Sequence, residues 1–179
     1  MWCEDRPRFD GKYYSIEEPI CDPKPIQKPH PPITIGGAGE KTIELVAEYA
    51  QGRDIPLSSG LESGLSSIVK KIELLEKRCE QIGRDPGEIT KSTFCYILTS
   101  DDREDIEKTI KDHREYVDVY CNGSVDELKA KHIVGDAETC IEKLETIEEI
   151  GIDTIMLKFL DFPSLKGPEY FGREVIGRM

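Results

Sequence analysis

Pro32-Ile33-Thr34-Ile35-Gly36-Gly37-Ala38-Gly39-Glu40-Lys41-Thr42 constrains the fold more than any other run in this chain, because it holds a strand, a turn and a helix start in direct succession. Ile33, Thr34 and Ile35 are β-branched and favour a buried strand. Gly36, Gly37 and Gly39 allow positive φ and close approach of the backbone. From Thr42 to Ala50, apolar residues return at helical spacing. The first N–H groups of a helix have no partner within it, and the positive end of the dipole adds about 0.3–1 kcal/mol for a nearby anion. The layout therefore suits a phosphate or carboxylate. Two well-known phosphate motifs do not fit. A Walker loop requires glycine directly before the lysine, where Glu40 stands, and the dinucleotide fingerprint requires a third glycine where Thr42 stands. A tight βα turn with no ligand is the competing reading.

Charge makes the turn more informative. The chain has 179 residues, enough for one domain with a real core, and carries 24 Lys and Arg against 36 Asp and Glu, a net charge of −12. Such a surface repels nucleic acid and anionic membranes, so neither is expected as a partner. An anionic ligand needs local help, which turn amides supply without changing net charge. Six cysteines, at positions 3, 21, 79, 95, 121 and 140, show no spacing for zinc or a redox dithiol. They are expected to be mostly buried thiols, a reactive cysteine being the alternative. With no signal peptide or long apolar span in the letters, a reducing cytoplasm is the expected location.

Before the glycine run, Phe9-Asp10-Gly11-Lys12-Tyr13-Tyr14 suggests a small hairpin, and six prolines between Pro19 and Pro32 suggest a stiff connector. His30 within it reads as a packing or solvent-facing residue, with proton donor or ligand as the alternative. After the first helix, Gly52 to Leu57 suggests a short strand, with Pro56 arguing against a central place in a sheet. The stripe Leu65, Ile68, Val69, Ile72, Leu75 and Cys79 predicts a long helix from about residue 61 to 82, capped by Gly83. Thr90 to Thr99 predicts a core strand. Ser100-Asp101-Asp102 caps one helix carrying Ile106, Ile110, His113 and Val117, which ends before Asn122-Gly123. His113 on that stripe reads as a satisfied interface histidine rather than a ligand. Ile133 to Glu138 opens a further helix capped by Asp136 and stopped at Gly151. Residues 152–159 form a strand, and residues 168–179 a final helix. Asp161 reads as a turn residue, with a catalytic role as the alternative. Strands alternating with helices through short links predict a parallel α/β sheet.

The runs Phe9 to Tyr14, Asp22-Pro23-Lys24-Pro25-Ile26-Gln27 and Pro31 to Lys41 together resemble the luciferase-like monooxygenase superfamily. Within it, the block order is most similar to the oxidoreductases that use coenzyme F420, a deazaflavin. Cys79 to Pro86, Ile133-Val134-Gly135 and Gly151-Ile152-Asp153 extend the likeness over essentially the whole chain. The family folds as a (β/α)8 TIM barrel with its sites at the C-terminal ends of the strands. The resemblance thus implies an α/β chain corresponding to the C-terminal portion of that barrel, with parallel strands and flanking helices. It also implies one partial domain over residues 1–179: a hairpin and Pro-rich connector to residue 32, then β/α units from residue 33.

In the family the matching turn holds the cofactor phosphate. That carries over to Gly36, Gly37, Ala38, Gly39 and, through its hydroxyl, Thr42. The family's Ala-Asp-Gly-Trp-Asn after the first helix becomes Ala50-Gln51-Gly52-Arg53-Asp54 here, so no contact is carried over from that loop. The implied activity is hydride transfer between coenzyme F420, or alternatively FMN, and a small organic substrate. No catalytic residue and no metal site is assigned. A half barrel leaves sheet edges open, so a separately encoded N-terminal half or self-association is the expected partner. A non-catalytic cofactor-binding or structural subunit, or an inactive gene fragment, is the alternative.

Overall fold

The computed structural model describes every residue except Ala38, Ser58 and Ser59, and every side chain except theirs and those of Glu62, Ser63 and Tyr120. It divides into two compact units, Met1–Ile33 and Thr34–Met179. The first contains a hairpin of β1 (Arg8–Asp10) and β2 (Ser15–Glu17), closed by the Gly11 N–H donating to the Tyr14 carbonyl at 2.9 Å. Lys24 Nζ ties its proline-rich stretch to the start of the chain by donating to the carbonyls of Met1 and Glu4 at 3.0 and 2.6 Å.

In the second unit the order is β3 (Thr34–Gly36), α1 (Glu40–Tyr49), β4 (Gly52–Asp54), α2 (Gly60–Ile82), β5 (Thr90–Thr99), α3 (Arg103–Asp112), α4 (Arg114–Tyr120), α5 (Val125–Lys131), β6 (Ile133–Gly135), α6 (Ala137–Glu149), β7 (Thr154–Phe159) and α7 (Lys166–Tyr170), the last running on into a wider helical turn over Phe171–Ile176. All strand pairs in this unit are parallel. β3 pairs with β4 and β4 with β5, so β4 is an inner strand. Pro56 is no obstacle, because it lies beyond the last paired residue.

The long strand β5 has three neighbours. Its even-numbered backbone groups face one side: Thr90 N–H donates to Gln51 O, Ser92 O accepts from Ile55 N–H, and Ser100 N–H, just past the strand, donates to Gly135 O. Its odd-numbered groups face the other: Lys91 O and Ile97 O accept from Asp153 and Leu160. β4 and β6 therefore share one edge of β5, β4 beside residues 90–92 and β6 beside residues 97–99, while β7 takes the opposite edge over residues 92–97.

Alternation along each strand divides the sheet into two faces. Cys95 and Ile97 of β5, with Ile155, Leu157 and Phe159 of β7, pack against Ile68 and Ile72 of α2 and Cys140, Leu144 and Ile147 of α6. Ile35 of β3 joins a second cluster with Ile43, Val46 and Ala47 of α1 and Leu75 and Cys79 of α2. Each fully buried Ile, Leu or Val contributes about 1.5–3 kcal/mol over an exposed one, which is why these stripes set the helix positions. Arg53 is the odd member of this layer. It is fully buried, with Nη1 donating to the Lys71 carbonyl at 2.7 Å, and burial pulls its guanidinium below the ordinary arginine range. The opposite face presents Gly36, Asp54, Ser92 and Thr154 in one row, then Phe94 beside Met156 and Tyr96 beside Lys158. At its far end Leu98 is covered by a third cluster from α3, α4 and α5.

Three sequence expectations change. The helix predicted from Asp102 to before Asn122 is two helices, broken at His113 (φ −103°, ψ 30°), whose Nδ1 lies 3.0 Å from the Thr109 carbonyl. α5 follows, capped by Ser124, in a stretch with no predicted element. Ile133–Gly135 is a strand rather than a helix start, and α6 begins after Asp136, which caps it by accepting from Thr139 N–H at 3.0 Å. The Asp161 carboxylate accepts from the Gly167 N–H at 2.9 Å, a turn role. Cys79, Cys95, Cys121 and Cys140 are buried thiols, whereas Cys3 is exposed. Burial pushes Cys95 up to about 11. No described helix is long and apolar enough to cross a membrane.

Candidate functional site

β3 delivers the chain to the glycine turn, and Gly37 N–H donates to the Asp54 carbonyl at 3.4 Å, joining the turn to the end of β4. Gly37 has φ +138°, which side-chain-bearing residues rarely adopt, and a Cβ there would stand 3.1–3.2 Å from the Thr42 side chain. The Thr42 hydroxyl thus lies against the inside of the turn. Gly39 is the N-cap of α1, in extended conformation (φ −81°, ψ 155°), and its carbonyl accepts from Thr42 and Ile43 at 3.0 and 3.1 Å. Glu40 and Lys41, ahead of those bonds, have no carbonyl behind them in the helix. Nothing lies within 4 Å of where a Gly39 Cβ would stand, so the mouth of the turn is open on that side.

The far end of α1 is fixed by one side chain. Arg84 Nη1 donates to the carbonyls of Val46 (3.3 Å) and Ala47 (2.8 Å), and Nη2 to that of Ala50 (2.5 Å). A cation at a helix C-terminus also complements the dipole whose positive end faces the turn.

Beside the turn a cleft of about 410 Å³ is lined by Asp54, Pro56, Leu57, Phe94, Tyr96, Lys131 and His132. Its origin is topological: β4 ends at Asp54 and β6 starts at Ile133, so the edge of β5 between them is the place where the cleft forms. The floor is aromatic. Phe94 meets Tyr96 edge-on at 5.0 Å, and Tyr96 meets His132 edge-on at 5.1 Å and Tyr116 tilted at 4.9 Å. Lys158 Nζ stands 5.4 Å from the centre of the Tyr96 ring. At the polar end, Ser92 Oγ donates to Asp54 Oδ1 at 3.2 Å, and a Cβ on Gly36 would be 3.7 Å from Asp54 Oδ2. Turn and cleft thus meet at Asp54.

His132 Nε2 is 3.1 Å from Tyr116 Oη, and its Nδ1 is buried with no hydrogen-bond partner among the described residues. Burial first, then the charges of Lys131 and Lys143, hold His132 down to about 4, so it is a neutral imidazole at physiological pH. Burial pushes the Tyr116 phenol well above its ordinary value. The cleft combines an aromatic wall with a neutral imidazole and an acid–hydroxyl pair.

Gly36, Gly37, Gly39 and Thr42, proposed from sequence, are brought together in one turn; Ala38 lies outside the described residues. The sequence reading missed Asp54, Phe94, Tyr96, Tyr116 and His132 as members of one site. The signal available for two of them was the alternation of Phe94 and Tyr96 on one face of a predicted strand. A roomier cleft of about 680 Å³ lies at the β6–α6 turn; within its lining Arg103 pairs with Glu107 at 2.9 Å and Asp136 accepts from the Thr139 hydroxyl.

The family model for luciferase-like monooxygenases matches residues 1–154. The chain belongs to this family. Among curated proteins, the FMNH(2)-dependent dimethylsulfone monooxygenase of Pseudomonas putida is 22% identical over 98% of this chain and 54% of its own length. Among solved structures, an F420-dependent secondary alcohol dehydrogenase in complex with an F420-acetone adduct superposes with a TM-score of 0.74 at 19% identity, over 99% of this chain and 58% of its own. The monooxygenase RslO1 from Streptomyces bottropensis superposes with a TM-score of 0.76 at 18% identity, over 99% and 57%. The chain therefore spans a little over half the length of these luciferase-like relatives. Its parallel sheet and flanking helices match about half of a luciferase-like barrel. Relatives use either FMNH(2) or F420, going by their names.

Proposed function

We propose that this chain forms the phosphate-anchoring C-terminal portion of a luciferase-like oxidoreductase barrel that transfers hydride between coenzyme F420, or FMN, and a small organic substrate. The observation that carries the reading is the turn at Gly37. Its left-handed backbone, the Thr42 hydroxyl against its inside and the open approach at Gly39 fit a phosphate group. Glu40 and Lys41 N–H would donate to that phosphate, with Thr42 as a hydroxyl donor. The redox chemistry belongs to the cofactor when bound. Phe94 and Tyr96 would line one wall for a planar ring or an apolar substrate, excluding water from that side. Neutral His132, with Nε2 against Tyr116 and Nδ1 buried, would complete that wall without adding charge.

The test is a fluorescence titration of the purified chain with F420 and with FMN. Saturable binding of one of them, lost in Gly39→Val and weakened several-fold in Thr42→Ala, is the expected result. Gly39→Val adds bulk only where the turn is open, so its fold should be kept, as checked by circular dichroism. Binding of neither cofactor, or binding indifferent to both substitutions, would overturn the reading.

A further inference from the structure

The β1–β2 hairpin has a free edge whose polarity can be read off its hydrogen bonds. Glu18 N–H donates to the Pro7 carbonyl at 3.0 Å and Gly11 N–H to the Tyr14 carbonyl at 2.9 Å, and the register pairs Arg8 with Glu17, Phe9 with Ile16 and Asp10 with Ser15. Odd-numbered residues of β1 thus turn their backbone groups toward β2. Arg8 and Asp10 turn theirs outward, and among the described residues this sheet has only two strands. Every residue of both strands is exposed, including Phe9 at 58% and Ile16 at 44%, which share one face. On the other face Arg8 pairs with Glu17 at 3.1 Å and Glu18 at 3.2 Å, whereas Asp10 joins no ion pair among the described residues.

We propose that a second copy of the chain docks on this edge, β1 against β1, antiparallel about a two-fold axis through Phe9. The three letters Arg8-Phe9-Asp10 are self-complementary in that arrangement. Arg8 of each copy falls opposite Asp10 of the other, and these two pairs are the ones whose N–H and C=O groups point outward, so each exchanges both backbone hydrogen bonds. Phe9 meets its own counterpart at the non-hydrogen-bonded position, where side chains come closest, and extends the row Ile16–Phe9 into a continuous apolar strip across both copies. The unpaired Asp10 gains a cation, and Arg8 becomes a bridge between acids on its two sides. Charge also favours this site over others. Residues 1–33 hold five Lys or Arg and six Asp or Glu, so nearly all of the net charge of −12 lies elsewhere, where two copies repel. An isologous pairing of exposed edges is a self-limiting assembly, unlike an open-ended one.

Sedimentation of the full chain over a range of concentrations tests this. Wild type should run between one and two chain masses. Arg8→Asp and Asp10→Arg should each weaken self-association at least tenfold, because each places like charges opposite one another. An equimolar mixture of the two variants should regain the dimer, since one then presents two acids at the axis and the other two bases. A second measurement avoids reliance on charge: Phe9→Cys, with Cys3→Ser and Cys21→Ser to remove other accessible thiols, should give a disulfide-linked dimer on mild oxidation. A chain monomeric at every concentration would overturn the proposal, as would a dimer indifferent to both charge reversals or a mixture that stays monomeric.

Discussion

Gly37 and Gly39 stand two positions apart in one turn and obey different physics. Gly37 is needed for its backbone: an alanine there would sit at φ +138° and press on Thr42, so Gly37→Ala is expected to lower stability by about 1–3 kcal/mol, read from chemical denaturation. Gly39 has an ordinary conformation and open space around it, so substitution there should act on ligand access and leave stability nearly unchanged. His132 adds a pH dependence. Its folded value near 4 lies below the ordinary 6.5, so the unfolded chain binds a proton that the folded chain refuses between those values. Its contribution is whole above about pH 6.5 and drains away as the pH falls toward 4. Denaturation midpoints of wild type and His132→Gln, compared at pH 7 and pH 5, should therefore show a smaller acid loss in the variant. Of these residues, the glycines were legible in the sequence because a turn is local. His132 was not, because its environment is assembled from Tyr96 and Tyr116, residues that no spacing rule connects to it.

Helix α1 is held at its C-terminal end by Arg84, which reaches it from the segment after α2. Arg84→Ala removes three charge-assisted bonds to carbonyls and is expected to cost about 2–3 kcal/mol, measured as the shift in thermal midpoint. At this scale the amphipathic stripes of α1, α2 and α6 were legible, since apolar residues at helical spacing have one way to be buried. The break at His113 and the strand Ile133–Gly135 were not. Ile106, Ile110 and Val117 keep helical spacing across the break, and a three-residue strand is too short to display a period.

The sheet of Thr34–Met179 has one face packed by helices and one in which Met156 stands 46% exposed. The two faces predict opposite responses on a single strand. Met156→Lys is expected to change stability by less than about 0.5 kcal/mol, whereas Leu157→Lys, one residue on and packed against α6, should cost about 2 kcal/mol or more. Equal losses in the two thermal melts would contradict the assignment of faces. The alternation of strands and helices made the parallel sheet legible, but nothing local could say that two strands would lodge end to end along one edge of a third. That arrangement has a consequence for how such a site can diversify. The glycine turn and the aromatic floor belong to the regular sheet, while the strand that walls off the far side returns only after the excursion through α3, α4 and α5. Lengthening or repacking that excursion would move the wall and leave the floor and the anion cradle in place, so the breadth of the cleft can change independently of its grip on a ligand.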